Sequence, residues 1–357
     1  MTRIFVKAAI PAALLVLLLT SAAPFVGSQL PPGPLLAYVD ISQRLRIMDI
    51  NYRLSLLVGA FADQPAWSAD GRLAFVSNAG GPPEIFVWDA GTLTNASENP
   101  SFDNLPTWSA DGRLAFETLR RNPEIFLWDN GAFTNVSQNA ADDSSPQWSS
   151  DGRLAFVSYR DGNQEIYVWD NGTLSNISQN IDNDYGPVWS PDGRLAYVSV
   201  RDGDAEIYVW DNGALIDVSN NPDDDTQPVW GMQGQLAFES VRDGNEEIYG
   251  WQNGTLINIT QNAAFDGAPT WSPDGRLAFV SDRDGNQDVY VWDDGVISNV
   301  TQHPSLDTAP TWSPDGRLAF VSLRDGSSSL YLWDGVSISL LARNVRANAL
   351  LTWHKPQ

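Results

Sequence analysis

The chain contains no cysteine and two histidines, and its positive charge is heavily outnumbered: 21 Lys+Arg stand against 44 Asp+Glu in 357 residues, a formal net charge of -23. Each scarcity excludes something. Without cysteine there is no disulfide framework, no thiolate metal site, no Cys nucleophile and no acylated lipoprotein cysteine. His303 and His354 are too few for a zinc enzyme built on several His ligands. Lys7 and Lys355 are the only lysines, which removes a polybasic membrane patch. The acid excess removes nucleic acid as a partner, because phosphate binding needs a positive surface. What the chain does have is 43% hydrophobic residues and 15 Trp, which argue for a packed core over disorder.

Arg3 and Lys7 precede an apolar run from Ala8 to Val26 that contains Pro11 and Pro24. A basic start, an apolar middle and small residues at the exit (Ala22, Ser28) form the layout of a secretory signal. The run also approaches the ~20 residues that span a bilayer, so an uncleaved anchor is the competing reading. Either way the rest of the chain is expected to be exported: periplasmic, extracellular or at the cell surface, touching a membrane only through residues 8–27 if these are retained. The expected organisation is residues 1–28 as signal peptide or anchor, 29–34 as linker and 35–357 as one domain.

That domain is one unit repeated. Trp67, Trp108, Trp148, Trp189, Trp230, Trp271, Trp312 and Trp353 recur every 40 or 41 residues. Trp88, Trp128, Trp169, Trp210, Trp251, Trp292 and Trp333 form a second series with the same period. A fixed period of this length marks a repeat architecture. In the unit beginning at Trp189, strand signals surround Val188 and cover Leu195–Ser199, Glu206–Trp210 and Leu215–Ser219. Between them lie Pro191-Asp192-Gly193, Arg201-Asp202-Gly203 and Asp211-Asn212-Gly213, residues that allow the positive φ angles of tight hairpins. Four short, nearly continuous apolar strands per unit suit four-stranded sheets stacked around an axis.

The repeated pattern WSPDGRLAF-VS-RDG-EIYVWD resembles the TolB-type, WD-like propeller repeat of exported bacterial proteins, over about residues 35–357. The resemblance implies an all-β propeller and says little of activity, since propellers host unrelated functions. Seven complete units begin at Trp67. Before them, Leu36–Val39, Arg46–Asp49 and Leu54–Val58 read as second, third and fourth strands that lack a first. The C-terminus has a spare strand at Asn348–Trp353. The prediction is an eighth, composite blade that pairs the two termini and removes two sheet edges. The alternative is seven blades with an unpaired N-terminal segment.

The default reading of each repeated residue is structural. The two Trp series pack between blades, and the Asp-Gly-Arg turns leave an Arg free to bond neighbouring backbone. Asp282, Asp284, Asn286 and Asp288 alternate as ligands of a calcium loop would. The other blades place Tyr159, Val200, Val241 and Leu323 at the position of Asp282, which favours a plain hairpin and no bound metal. No nucleophile elbow or phosphate loop occurs, no cofactor is implied, and no catalytic residue is assigned.

A site is expected where the long connections enter the first strands, around the mouth of the central channel. Five residues before the first-strand Trp most units carry Asp: Asp103, Asp143, Asp184, Asp225, Asp266 and Asp307, with Asp63 shifted by one. This ring either caps loop amides and pairs with Arg160, Arg201, Arg242, Arg283 and Arg324, or attracts a cation or basic peptide. One residue earlier stand Phe61, Phe102, Asp142, Asn183, Asp224, Phe265, Leu306 and Ala347: an apolar arc facing an acidic one. The TolB resemblance implies a non-catalytic scaffold, here expected to be a monomer that binds a protein or peptide with basic and apolar residues. A propeller-based hydrolase or lyase, acting on peptide or glycan through mouth carboxylates, is the alternative. A convergent pair of carboxylates with raised pKa would favour it.

Overall fold

A computed structural model describes residues 33–346 and 351–354. The N-terminal segment and most of the linker, as well as Ala347, lie outside the described residues. Eight four-stranded antiparallel sheets form the ring of an eight-bladed β-propeller. Blades 2 to 8 span Ala62–Asn95, Phe102–Asn135, Asp143–Asn176, Asp184–Asp217, Asp225–Asn258, Asp266–Asn299 and Asp307–Arg343. Blade 1 is composite. Its strands Leu35–Val39, Arg44–Asp49 and Leu54–Ala60 are joined by Thr352–His354 from the other end of the chain. Leu35, Leu36 and Ala37 pair with His354, Trp353 and Thr352. The eight-blade reading therefore holds.

In blade 5 the strands run Asp184–Trp189, Leu195–Ser199, Glu206–Asp211 and Ala214–Asp217. The last hairpin turns on Asn212 and Gly213, both at positive φ (48° and 96°), the backbone that Asn-Gly accommodates. In blades 2 to 8 the first strand carries a proline two residues before its Trp, such as Pro187. Proline has no N–H to offer a ladder, so the pairing skips there, between Tyr185 and Val188 in blade 5. The residue before each such proline takes a left-handed backbone, as at Gln64, Leu105, Ser145, Gln227, Ala268 and Ala309. The result is a bulge repeated around the channel wall.

The core lies between blades. In seven blades an aromatic pair stacks across strands two and three, for example Tyr197 and Tyr208 with centroids 6.2 Å apart. The two Trp series meet edge to face, as Trp189 and Trp210 do at 6.4 Å and 79°. The turn arginines fasten neighbours together. Arg194 donates to the Gly234 carbonyl (2.9 Å) and lies over the Trp230 ring of the next blade (4.7 Å). Arg72, Arg113, Arg153 and Arg276 repeat the contact. Blade 6 has Gln235 in place of the arginine; its Gln233 amide bonds the Asp274 carbonyl instead, at 3.4 Å.

Candidate functional site at the channel mouth

The long connections and the second-to-third turns share one end of the ring. The N–H groups of Tyr159, Val200, Val241 and Leu323 donate to the carbonyls of Asp142, Asn183, Asp224 and Leu306. This end is where the sequence placed its site.

The carboxylate ring does not face solvent. Asp103, Asp143, Asp184, Asp225, Asp266 and Asp307 are fully buried. All but Asp103 begin a first strand opposite the last residue of the second strand, as Asp184 opposes Ser199; Asp103 is the second residue of its strand and opposes Thr118. Arg160, Arg201, Arg242, Arg283 and Arg324 reach Asp143, Asp184, Asp225, Asp266 and Asp307 at 3.3, 3.6, 3.0, 2.8 and 3.1 Å. Asn262 adds a bond to Asp266 at 2.6 Å. Burial raises the carboxyls of Asp103, Asp184, Asp225 and Asp307 above the ordinary range; in the last three the arginine opposes that shift. The ring thus ties loops to blades, and its sharper role, direct attraction of a partner, is closed to these buried groups.

One residue earlier the side chains do reach solvent. Phe61, Phe102 and Leu306 are 56%, 46% and 41% exposed, so the apolar arc is open at three positions. Asp142, Asn183 and Asp224 are exposed as well. Asp224 also accepts the Ala205 N–H (3.0 Å), which fixes its carboxylate at the mouth. Phe265 is half-buried and lies against Gly267, where an added Cβ would come within 2.7 Å of its ring.

The four candidate calcium ligands do not converge. Asp282 accepts the Phe265 N–H, Asp284 accepts the Tyr290 hydroxyl, Asn286 donates to backbone carbonyls and Asp288 accepts from Thr301. The surrounding turns and strands engage all four side chains. Among the described residues no group of three or more His, Asp or Glu is placed to hold a metal ion. His303 stands in a turn and accepts the Ser305 N–H through Nδ1 (3.2 Å). His354 is buried beside the Trp67 ring, and burial lowers its pKa.

Two acids at the mouth escaped the sequence reading. Six blades carry Val39, Val76, Val157, Val198, Val280 or Val321 as the fourth residue of the repeated Leu-Ala-aromatic-Val motif; blades 3 and 6 carry Glu117 and Glu239. Glu239 is buried and accepts the Ala268 N–H of blade 7 at 2.7 Å. Glu246, also an acid only in its own repeat, stands beside it. Burial, with the neighbouring Glu246, pushes the Glu239 carboxyl up to about 7. Burial likewise raises Glu117, and Asp142 adds to the shift. The signal was present as an exception within a column of valines.

Glu239 gives a pH-dependent stability with a defined sign. The unfolded side chain titrates near ~4.3, so between about pH 5 and 7 the native state holds a proton that the unfolded chain has lost. Stability therefore rises as pH falls from 8 to 5, by about 2–3 kcal/mol from this group. Glu206, also pushed up to about 7 by burial, acts in the same direction. Urea midpoints measured at pH 8 and pH 5 should show the gain, and Glu239→Gln should remove its share. An unchanged difference in that variant would contradict the assignment.

Comparison with known proteins agrees with this architecture. The model of the TolB beta propeller domain matches residues 129–261 and 252–344, more than half of the chain. The chain belongs to the TolB β-propeller family. A comparison with curated protein sequences gives no match. Among solved structures, Porphyromonas gingivalis dipeptidyl peptidase 4 is 14% identical with a TM-score of 0.65, over 87% of this chain and 59% of that one. The β-propeller domain of the Trilobed protease from Pyrococcus furiosus is 14% identical with a TM-score of 0.54, over 80% of this chain and 98% of that one. A puromycin-hydrolyzing peptidase of Mycobacterium tuberculosis is 15% identical with a TM-score of 0.57, over 80% and 54%. At these identities the likeness shows the fold alone. The Pyrococcus domain is described as an open velcro, whereas this TolB-family ring closes through its composite blade.

Proposed function

We propose that the chain is an exported, non-catalytic scaffold that binds a protein or peptide at the channel mouth. The observation that carries this reading is the divided rim: exposed Phe61, Phe102 and Leu306 on one side, exposed Asp142, Asn183 and Asp224 on the other. Such a rim suits a segment bearing both apolar and basic residues, with apolar contacts supplying affinity and charge speeding encounter. The export part rests on the character of residues 1–28. Among the described residues no helix is long and apolar enough to cross a membrane.

A pull-down with the mature chain, read by mass spectrometry, identifies the partner. Phe61→Ala with Phe102→Ala should then speed dissociation about 10- to 100-fold with little change in association. Asp142→Asn with Asp224→Asn should lower the on-rate and flatten its salt dependence, because the amides still accept hydrogen bonds but carry no charge. Wild-type binding by both folded variants would move the search to the outer blade rims.

One observation favours a second reading. The Glu239–Glu246 pair combines a raised pKa with departure from the repeat, two marks of an acid–base site. Turnover of a peptide, ester or glycan by pure protein, abolished in Glu239→Gln, would replace the scaffold with a hydrolase or lyase.

A further inference from the structure

Blade 1 departs from its seven siblings in one cluster of side chains, far from the Glu239 pair. Arg46 lies opposite Tyr38 at the place where every other blade completes a stacked aromatic pair, as Phe320 does with Tyr331 at 5.9 Å. Arg44 occupies the place of Glu84, Glu124, Glu165, Glu206, Glu247 and Asp288, a reversal of charge at a position that is acidic in six blades and Ser329 in blade 8. Asp40 replaces the serine that ends the other second strands, apart from Thr118 of blade 3. Ser55, opposite Met48, replaces an apolar residue such as Leu215, which lies opposite Trp210. These exchanges open a cavity of about 360 Å³ between blades 8 and 1. Four arginines line it: Arg44, Arg46, Arg53 and Arg343.

The charges do not balance. Among the described residues Asp40 is the only acid in the wall, and its Oδ2 accepts from both Arg44 (2.8 Å) and Arg46 (3.2 Å). Arg343 pairs with Asp325 (2.8 Å), which lies outside the lining. Arg53 donates to the Leu340 carbonyl (3.1 Å) and, among the described residues, makes no ion pair. A chain with a formal charge of -23 thus concentrates guanidinium groups around one hollow. Guanidinium presents donors in a planar fork that matches carboxylate and phosphate oxygens. The volume falls within the range of small-molecule sites.

We propose that this cavity binds a small organic anion bearing carboxylate or phosphate groups. The site is independent of the channel mouth and of the function assigned to it. The test is isothermal titration of the full chain with citrate and with inorganic phosphate, at fixed ionic strength, with sodium chloride as control. Saturable binding near one equivalent is the expected result; citrate alone identifies the carboxylate class and phosphate alone the phosphate class. Arg46→Tyr, which restores the residue type of the other blades, and Arg53→Gln, in an exposed turn, should each weaken binding about 10-fold or more. Asp142→Asn with Asp224→Asn should leave it unchanged. Far-UV circular dichroism checks folding, and Arg53→Gln carries the test if Arg46→Tyr does not fold. No saturable binding of either probe above chloride, or equal affinity in wild type and the folded arginine variants, overturns the proposal.

Discussion

Removal of residues 351–357 should lower the melting temperature by more than about 10 °C and drive the protein to aggregate, the largest effect expected of any change described here. The truncation takes away the strand that covers Leu35, Leu36 and Ala37. It withdraws Trp353 from the cluster with Leu36, Tyr38, Met48 and Leu330, and His354 from the Trp67 ring. Loss of a fully buried aromatic costs about 3–5 kcal/mol; half-buried Trp353 gives part of that, and buried His354 and the strand pairing add to it. The truncation also leaves the fully buried strand Leu35–Val39 with an unpaired edge, a template for pairing with another chain. Thermal unfolding and size-exclusion chromatography read both outcomes. A truncated protein that melts within about 2–3 °C of wild type, the shift expected of about 1 kcal/mol, would show that the ring does not depend on this closure.

Arg242→Ala should be nearly as damaging, at about 3–5 kcal/mol, because it leaves Asp225 buried and without its cation. Asp225→Asn should cost less, since the amide oxygen can still accept from Arg242. The arginine variant also carries a pH signature. Burial raises the Asp225 carboxyl above the ordinary range even with Arg242 present. Without the guanidinium it rises further, and protonation then relieves the buried charge. The stability gap between wild type and Arg242→Ala should therefore narrow as pH falls from 7 to 5. Urea denaturation at the two pH values measures it; a gap that widens toward pH 5 would contradict the account.

The ring was legible in the sequence because its determinants are local and repeated. Trp spacing, hairpin residues and the orphan strands at Leu36–Val39 and Asn348–Trp353 are sufficient to place the blades and their closure. The site was less legible. Asp142 and Asp143 are adjacent and chemically alike, yet one is exposed and the other is fully buried. Side chains alternate along a strand, so the distinction depends on register. The register here depends on a bulge with Ser145 at positive φ. Reading the consensus also hid the exceptions. Glu117 and Glu239 sit in a column of valines, and Arg44 and Arg46 sit in columns of acids and aromatics.

The missing arginine at Gln235 has a mechanical consequence. The joint between blades 6 and 7 lacks the guanidinium clamp on the end opposite the mouth, while its Trp271 indole keeps a bond to the Val229 carbonyl at 3.3 Å. At the mouth end the same joint is spanned by the Glu239 contact to Ala268, whose donor meets a carboxylate at high pH and a carboxylic acid at low pH. Of the contacts across this joint, the one at the mouth end thus changes its character with a single proton.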